Sequence, residues 1–490
     1  MKTSLYGEGA IFVDLEIEDD PRRGARTLAA ARSLRARLPE ADIVVGGGSL
    51  VIASIGPWDE LDDAVTEAAA AAEAADDAQV LGALVEIPVA YDGPDFDDIA
   101  RATGLGRDEV IARHLAPTYV AELVGFLPGF AYLGGVDPSL ALPRRATPRP
   151  RVPAGSVAIA AGFTGVYPFA SPGGWHLLGR AGVAMFDAHR AHPSLVDAGD
   201  RVRFVEADLP TTTSSTTTEP RSVARGLIVE RAPALATVQD RGRGGLLSQG
   251  IPPGGPLDPA TMLAASLAVG NDAGDAAIEI PLGTLEVRAR GDLHVSIDGD
   301  EPRRLADGEA FVVPPGARAV RYLAVAGGVD APMVLGARAT LIPAGIGRPL
   351  RRGDVLAVGA PPGRRRVRGP DAPSPPDDVV RLEVTPGPHV GRFAQEALDA
   401  LVTDERVVST RGDRVGVRLE GRALAAPRPV ALPVPMVRGA IEVPPDGVPI
   451  VLGPDHPTTG GYPVIGVISR ASQGALARCG PGRRVRFVLG

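Results

Sequence analysis

Lysine is almost absent from this chain of 490 residues, because Lys2 is the only one. A P-loop needs a lysine after its glycines, and a Schiff base or a covalently attached biotin needs one as well. These sites are therefore excluded beyond position 2, so arginine, backbone amides or another chain must contact any bound nucleotide. Cysteine is equally scarce, since Cys479 alone excludes an internal disulfide and a cysteine zinc cluster. A reducing cytoplasm is the expected location.

Excess positive charge and long hydrophobic runs are lacking too. The net charge is −8, and no basic stretch is interleaved with aromatic residues, which argues against a nucleic-acid partner. The first residues lack the apolar core of a signal peptide. The alanine-rich run at 64–75 is interrupted by Thr66, Glu67 and Glu73, so it predicts a surface helix rather than a membrane span. No membrane partner is expected.

Glycine and proline, by contrast, are abundant at 61 and 48 residues, which favours short strands and many turns. The β-α-β-β-α order of the opening segment predicts a small α+β sandwich, with a helix at 25–37. Further helices are predicted at 95–103 and 106–114. The predicted units are an α+β domain at 1–82, a strand-rich domain at 83–206, a Thr/Ser/Pro linker at 207–222 and a second half at 223–490 with an internal break near 369–378.

Three sequence blocks of the first half recur in the same order in the second half. The first-half blocks are G-S-V-A-I at 155–159, S-P-G-G-W-H-L-L-G at 171–179 and G-D-R-V-R-F-V at 199–205. The second-half blocks are G-A-I-E-V at 439–443, T-T-G-G-Y-P-V-I-G at 458–466 and G-R-R-V-R-F-V at 482–488. This order predicts two related β-rich domains. Convergent turn chemistry is the alternative.

The motifs of both halves resemble known protein families. Residues 116–175 contain A-P-T-Y, G-F-L-P-G-F-A-Y-L-G-G and V-P-A-G-S-V-A-I, and they resemble the B subunit of 5-oxoprolinase, also called allophanate hydrolase subunit 1 or a kinase-inhibitor family. The second half contains T-V-Q-D-R-G-R, G-P-L-D, A-I-E-I and V-P-P-D-G-V-P-I-V-L, and it resembles the C subunit of 5-oxoprolinase, or allophanate hydrolase subunit 2. The resemblance implies a fusion of the two subunits, mainly β with α+β, with cyclophilin-like β-barrels in both halves.

The second copy of the repeat carries the strongest candidate site. Asp455, His456, Thr458 and Thr459 offer a carboxylate, an imidazole and two hydroxyls just before Gly-Gly. Such a set can hold an amide substrate and move a proton, although a solvated turn with an aspartate cap has the same composition. Two consecutive glycines also let the backbone approach a ligand closely. The predicted corner therefore adds three substrate-binding residues, Gly460, Gly461 and Tyr462, and the substrate pocket is expected between the two related β-rich domains.

Other candidates depend mainly on the resemblance. His114 and Asp413 join Asp455 and His456 as predicted catalytic residues. The predicted substrate-binding residues are Tyr119, Gly173, Gly174, Trp175, His176, Gln239, Asp240, Arg241, Asp258, Asn271 and Arg414. Structural roles remain open for several, namely a helix cap for His114, a packed barrel corner for the Gly-Gly-aromatic pairs and an ion pair for Asp413 with Arg414. No metal site is predicted, because the seven histidines show no ligand spacing.

The resemblance implies the B and C components of an ATP-dependent 5-oxoprolinase, a hydrolase that opens the lactam of 5-oxoproline to glutamate together with a separate A subunit. ATP would be a co-substrate whose binding chain is left open, and a homo-oligomer is compatible with the sequence. A carboxyltransferase component is one alternative, because the same pair resembles a segment of urea carboxylase. It would act on an amide or urea-like substrate with carboxybiotin from another chain. A histidine-kinase-inhibiting binding module is the second alternative.

Overall fold

A computed structural model describes residues 1–53, 60–76, 82–209, 223–361, 372–425, 427, 430 and 432–490. Within these ranges the chain forms 31 strands and seven α-helices. The strands include two closed seven-stranded barrels, one in each half. The predicted fold class, mainly β with an α+β start and a barrel in each half, is confirmed. Most of the predicted linker, 210–222, and part of the predicted break, 369–371, lie outside the described residues.

The chain opens with a four-stranded antiparallel sheet of order β1-β2-β4-β3. Helix α1 packs on this sheet, and α2 packs on α1. A stripe of small buried residues, Ala64, Ala68 and Ala72, allows this close contact because residues four apart share one face of a helix. The elements are β1 (Lys2–Leu5), β2 (Ala10–Asp14), α1 (Arg23–Arg37), β3 (Asp42–Val45), β4 (Ser49–Ala53) and α2 (Leu61–Ala74).

The first barrel has the strand order β10-β7-β6-β13-β5-β12-β9 and closes on itself. The strands that come first and last along the chain, β5 and β13, pair in parallel, whereas the other pairs are antiparallel. A two-stranded sheet, β8 with β11, lies beside it. The elements are β5 (Leu84–Ala90), α3 (Phe96–Thr103), α4 (Arg107–Leu115), β6 (Tyr119–Val124), β7 (Ala131–Gly134), β8 (Arg149–Val152), β9 (Ser156–Ala160), β10 (Phe163–Val166), β11 (Ser171–Gly173), β12 (His176–Ala181) and β13 (Arg201–Glu206).

Two antiparallel sheets that share one core form a middle sandwich at 223–361. One sheet has the order β20-β17-β14-β22 and the other β15-β16-β21-β18-β19. The elements are β14 (Gly226–Arg231), β15 (Thr237–Gln239), α5 (Pro259–Ala268), β16 (Ala277–Pro281), β17 (Leu285–Arg290), β18 (Leu293–Ile297), β19 (Arg303–Leu305), β20 (Ala310–Val313), β21 (Val320–Val325) and β22 (Val355–Ala357).

The second barrel has the order β23-β30-β27-β28-β25-β24-β31, again with its first and last strands parallel. A small sheet, β26 with β29, lies beside it. The elements are β23 (Val379–Pro386), α6 (Gln395–Thr403), β24 (Arg406–Gly412), β25 (Gly416–Glu420), β26 (Val434–Pro435), β27 (Ala440–Glu442), β28 (Ile450–Leu452), β29 (Thr459–Gly460), β30 (Val464–Ile468), α7 (Arg470–Ala477) and β31 (Arg484–Leu489).

The sequence repeat corresponds to the same strand pairings in the two barrels. The pair β9–β12 of the first barrel matches β27–β30 of the second, and the parallel pair β5–β13 matches β23–β31. The glycine that ends each repeated corner has a packing role. A Cβ at Gly179 would clash with the Ala90 carbonyl of β5, and one at Gly466 would lie 2.6 Å from the Val384 side chain of β23. Only glycine allows this approach between strands.

The two halves make specific contacts with each other. The Asp42 carboxylate of β3 accepts hydrogen bonds from the amides of Leu247 and Ser248 at 2.7 and 2.9 Å. Gly125 of the first barrel lies against Thr459 of the second, where a Cβ would clash with the threonine side chain. The halves are therefore joined by buried polar and close backbone contacts in addition to the chain itself.

Gly125→Ala is expected to destabilise the folded chain by about 1–3 kcal/mol through this clash, in addition to the penalty for a positive φ. Gly104→Ala is the matched control, because Gly104 also has a positive φ but its Cβ would meet nothing within 4 Å. Urea denaturation of both variants measures the difference. Equal destabilisation of the two would show that the contact between Gly125 and Thr459 contributes nothing.

Candidate functional site

A cavity of about 470 Å³ lies where the N-terminal sheet meets the second half. The sheet contributes the turn from Tyr6 to Ala10 together with Ala53. The middle sandwich and the second barrel contribute Arg243, Gly244, Gly245, Leu247, Pro253, Pro259, Val437, Arg438, His456, Val467, Ile468, Arg470 and Gln473. None of the described residues of the first barrel belongs to this lining. The cavity is therefore shared between the halves, but it does not lie between the two barrels, where the sequence analysis expects it.

The N-terminal turn fits closely against the second barrel. The Tyr6 hydroxyl donates to the Pro435 carbonyl at 3.3 Å. The Arg470 amide donates to Oε2 of Glu8 at 3.2 Å. A Cβ at Gly9 would lie 2.7 Å from Nη2 of Arg470, so a side chain there would displace the guanidinium. The first half thus forms one wall of a cavity whose other walls come from the second half.

Arg414, a predicted substrate-binding residue, is buried at the centre of an ionic cluster. Its Nε and Nη2 donate to Oδ2 and Oδ1 of Asp455 at 2.9 and 2.8 Å, and its Nη1 donates to Oε1 of Glu279 at 2.5 Å. Nη2 also donates to the Gly255 carbonyl at 2.6 Å. Burial by itself lowers the pKa of Arg414, but the two carboxylates outweigh burial and raise it. The guanidinium therefore ties the middle sandwich to the second barrel.

Tyr322 and Asp258 extend this cluster. The Tyr322 hydroxyl donates to Oε2 of Glu279 at 2.8 Å and accepts from the Asp258 amide at 2.8 Å. The Asp258 carboxylate accepts from Arg478 at 2.8 Å and from the Thr261 hydroxyl at 2.5 Å. Asp258, predicted to bind substrate, therefore connects the start of α5 to the end of α7 through Oδ2, whereas its buried Oδ1 has no hydrogen-bond partner among the described residues.

His456 lines the cavity and is almost fully buried. Its Nδ1 lies 2.9 Å from the Pro457 carbonyl, and because a carbonyl oxygen can only accept, Nδ1 carries the proton. The other ring nitrogen, Nε2, has no hydrogen-bond partner among the described residues. Burial lowers the pKa of His456 to about 4, so the ring is neutral at pH 7. A neutral imidazole with a free Nε2 lone pair can accept a proton.

Asp455 lies next to His456 but faces Arg414 rather than the histidine ring. Burial raises the pKa of Asp455, and the Arg414 guanidinium opposes that rise. Both oxygens of the carboxylate are held by Arg414. The structure therefore brings three predicted residues, Arg414, Asp455 and His456, to one place, with Asp455 holding the segment that carries His456.

Two arginines that the sequence analysis does not single out also line the cavity, Arg243 and Arg438. Arg243 is 3% exposed. Arg438 interrupts the apolar sequence V-P-M-V-R-G-A-I, and a charge inside an apolar run is a signal of burial that the sequence does contain. Arg243 ends the T-V-Q-D-R-G-R motif, where it is one of two arginines and nothing local distinguishes it from the exposed Arg241.

Other predicted residues of the second half lie away from the cavity lining. Asp413 is exposed, and its Oδ1 accepts from the Val415 amide in a turn. Gln239 donates to the Thr340 carbonyl at 3.2 Å, and Asp240 accepts from the Arg338 amide at 2.6 Å. The remaining two are Arg241, which is exposed, and Asn271, whose side chain bonds the backbone of Val325 and Gly327. The side chains of Asp413, Asp240 and Asn271 therefore serve turns and loop contacts, while Oε1 of Gln239 is buried without a hydrogen-bond partner in the described part of the chain.

The second glycine corner lies at the junction between the halves and does not line the cavity. The hydroxyls of Thr458 and Thr459 are buried without hydrogen-bond partners in the described part of the chain. A Cβ at Gly460 would lie 2.6 Å from Oε1 of Glu442, whereas one at Gly461 would meet nothing within 4 Å. Tyr462 is 39% exposed. The first glycine of this pair is therefore explained by packing.

The first glycine corner is part of the core of the first half. Trp175 is 5% exposed and packs edge-on against Phe130 and Tyr132 at 5.4 and 5.7 Å between ring centroids. A Cβ at Gly173 would clash with the Tyr167 hydroxyl. The remaining two predicted residues also bond the protein itself, because the Gly174 carbonyl accepts from the Arg145 amide and Nε2 of His176 lies 3.1 Å from the Pro143 carbonyl.

His114 is fully buried and both of its ring nitrogens are engaged. Nδ1 lies 2.7 Å from the Tyr91 hydroxyl and Nε2 lies 2.8 Å from the Thr164 hydroxyl. Burial lowers the pKa of His114 to about 3. The Tyr119 hydroxyl donates to the His114 carbonyl at 2.7 Å, and both rings pack on Phe204. The geometry gives these two predicted residues a place in the barrel core.

Comparison with known proteins follows the same division of the chain. Residues 249–489 match the family described as carboxyltransferase domain, subdomain A and B, and residues 1–196 match carboxyltransferase domain, subdomain C and D. The C subunit of Escherichia coli 5-oxoprolinase is 34% identical over 284 residues, which cover 54% of this chain and 90% of that protein. The chain belongs to the carboxyltransferase-domain family. In this family member the relatives of two separate subunits are joined.

The other half of this carboxyltransferase-domain chain has its own relatives. The B subunit of Bacillus subtilis 5-oxoprolinase is 47% identical over 137 residues, which cover 27% of this chain and 57% of that protein. The chain thus spans little more than half the length of this Bacillus relative. A crystal structure of the protein TTHA0988 matches almost the whole chain, with 34% identity, a TM-score of 0.82 and coverage of 98% of this chain and 99% of that one.

Two further observations concern the described part of this carboxyltransferase-domain chain. None of its helices there combines the length and apolar character that a membrane crossing requires. The same residues contain no group of three or more histidine, cysteine, aspartate or glutamate side chains placed to hold a metal ion.

Proposed function

We propose that the chain supplies the B and C components of an ATP-dependent 5-oxoprolinase that acts together with a separate A subunit. The main support is that one part of the chain is similar to proteins named as the B subunit of 5-oxoprolinase and another part to proteins named as the C subunit. The shared cavity supports it as well, because each half supplies part of the lining. A site of this kind gives a reason for two subunits to be joined.

The reaction needs an activated amide. The lactam of 5-oxoproline is stabilised by resonance, so its carbonyl carbon is a poor electrophile. Transfer of the γ-phosphoryl group of ATP to the lactam oxygen releases ADP and makes that carbon reactive. Water then adds to the carbon, and the ring C–N bond breaks with its electron pair going to nitrogen, which takes up a proton and leaves an acyl phosphate of glutamate. A second water hydrolyses this acyl phosphate, so that phosphate leaves and the carboxylate of glutamate forms. Lactam opening requires a group that takes a proton from water.

His456 is the residue in the cavity suited to that role. Its Nε2 is free among the described residues, and the low pKa of the ring keeps it neutral at pH 7. Asp455 acts as a positioning residue, because Arg414 fixes it and with it the adjacent histidine. His114 and Asp413 are assigned structural roles in this proposal. In this proposal the complex binds ATP, and the ATP site is not assigned to a particular chain.

The test is to mix the purified chain with an A subunit, 5-oxoproline and ATP, and to measure glutamate. His456→Gln is expected to lower the rate of glutamate formation by about 10²–10⁴-fold, because it removes the proton acceptor. His189→Gln is the matched control, since His189 is exposed on the first half. If the wild-type chain forms no glutamate, the proposed function is wrong. If both variants keep full activity, His456 has no catalytic role.

A carboxyltransferase component is the second candidate, and the family description of both halves favours it. In that case carboxybiotin from another chain would donate its carboxyl group to an amide or urea-like nitrogen. The reaction would proceed without ATP once the carboxybiotin is formed. Transfer of labelled carboxylate from free carboxybiotin, in the absence of glutamate formation, would favour this candidate over a 5-oxoprolinase.

A further inference from the structure

Arg243 is buried and Arg438 is half-buried, and neither guanidinium has an ion-pair partner among the described residues. Nη2 of Arg243 donates to the Ala339 carbonyl at 2.6 Å, while its Nε and Nη1 have no hydrogen-bond partner in the described chain. Nη2 of Arg438 donates to the carbonyls of Pro256 and Leu257 at 3.0 and 2.9 Å, and its Nε is unpartnered within the same residues. Over the described ranges, no carboxylate is recorded within 4 Å of either guanidinium.

The neighbouring arginines, unlike Arg243 and Arg438, form ion pairs with carboxylates. Arg414 is paired with Glu279 and Asp455, and Arg478 is paired with Asp258. Burial lowers the pKa of Arg243 and of Arg438, because each positive charge is poorly solvated. A buried charge normally has a partner, because desolvation without one is expensive. The two exceptions in this cluster both line the same cavity.

The rest of the lining is compatible with an anion. Among the described lining residues the only carboxylate is that of Glu8, which accepts from the Arg470 amide and lies 3.8 Å from the Arg470 guanidinium. Asp240 and Asp455 act on Arg243 only from beyond ion-pair distance. Gly254 adjoins Pro253 of the cavity wall. A Cβ at Gly254 would lie 3.3 Å from Nη1 of Arg243, so the glycine leaves space beside this guanidinium.

We infer that Arg243 and Arg438 form a binding site for a small oxyanion, a carboxylate or a phosphate, in the cavity beside His456. On the proposed function, on which the choice of ligand rests, the oxyanion is the carboxylate of the lactam substrate. Guanidinium groups bind such anions with charge-assisted hydrogen bonds. A ligand anchored in this way would present its ring to the neutral imidazole.

Isothermal titration of the full chain tests this site without ATP or an A subunit. The probes are 5-oxoproline, 2-pyrrolidinone, which is the same lactam without the carboxylate, and inorganic phosphate. We expect 5-oxoproline to bind about 10- to 100-fold more tightly than 2-pyrrolidinone, and Arg243→Gln and Arg438→Gln to remove that preference. Arg422→Gln is the control, because Arg422 is exposed on the second barrel. Phosphate that competes with 5-oxoproline would identify a shared oxyanion site.

Thermal unfolding of the wild-type chain provides a test that does not depend on the folding of variants. Phosphate or 5-oxoproline should raise the melting temperature and 2-pyrrolidinone should not. Equal binding of the two lactams, together with no effect of phosphate, would overturn the inference. Stabilisation by phosphate alone would keep the oxyanion site and assign it to phosphate. Anion binding without glutamate formation in the complete system would refute the proposed function and leave this site in place.

Discussion

Arg414→Met is expected to lower the free energy of unfolding by about 3–5 kcal/mol, because it removes one partner of a buried ionic cluster. The carboxylates of Glu279 and Asp455 would lose their cation in a place that water does not reach. They must then remain buried without a partner or take up protons, and both outcomes disfavour the folded state. Urea denaturation, followed by circular dichroism, measures the loss.

Arg411→Met supplies the comparison for this experiment. Arg411 lies three residues earlier, its side chain is 69% exposed, and it is 3.6 Å from Glu420. An exposed pair of this kind contributes at most about 1 kcal/mol. The deficit of R414M should also shrink at pH 5, because burial raises the pKa of Asp455 and its carboxylate takes up a proton more easily there once the cation is gone. Equal stability of R414M and R411M would mean that the cluster does not join the middle sandwich to the second barrel.

Stability should also fall between pH 6.5 and pH 8.5 because of Glu442. Glu442 is buried on β27 beside Gly460 of the second glycine corner, and this burial raises its pKa to about 8. The unfolded chain releases this proton near pH 4.5, while the folded chain retains it up to about pH 8, so the free energy of unfolding decreases as the pH rises through that interval. Between pH 6.5 and pH 8.5 the decrease is about 2 kcal/mol.

Glu442→Gln should abolish that decrease, because glutamine keeps the shape of a protonated carboxyl and does not ionise. Buried histidines act in the opposite direction, since His114, His389 and His456 have lowered pKa values of about 3, 4 and 4. The unfolded histidines still lose protons above pH 6.5, and the three together add about 1 kcal/mol between pH 6.5 and pH 8.5. The effect of Glu442 is therefore the difference between wild type and E442Q over this interval. Glu383→Gln, at an exposed position on β23, is the control. If E442Q and wild type show the same decrease, Glu442 ionises normally in the barrel.

Local sequence patterns were sufficient to predict much of the fold. The helix predicted at 25–37 is observed as Arg23–Arg37, and those predicted at 95–103 and 106–114 are Phe96–Thr103 and Arg107–Leu115. The repeat predicted two related β-rich domains, and the same strand pairings occur in both barrels. These features depend on residues close together in the chain, so turns and periodicity report them directly.

The composition of the cavity could not be predicted in the same way. Arg414 and Glu279 are 135 residues apart, and their contact depends on how the middle sandwich packs on the second barrel. An aromatic residue after Gly-Gly, such as Trp175, is typical of the wall of a ligand site. In the fold, however, Phe130 and Tyr132 pack against Trp175. A short motif specifies a turn and its neighbours, whereas long-range docking decides which turns face an open space.

The position of Tyr6 in the cavity wall has a consequence for biosynthesis. The ribosome makes this residue several hundred positions before Gln473 of the opposite wall. The chamber cannot exist on a nascent polypeptide, even after the first barrel is complete. A truncated product that contains every residue up to the middle sandwich would therefore still lack the cavity, because the second barrel supplies part of its wall.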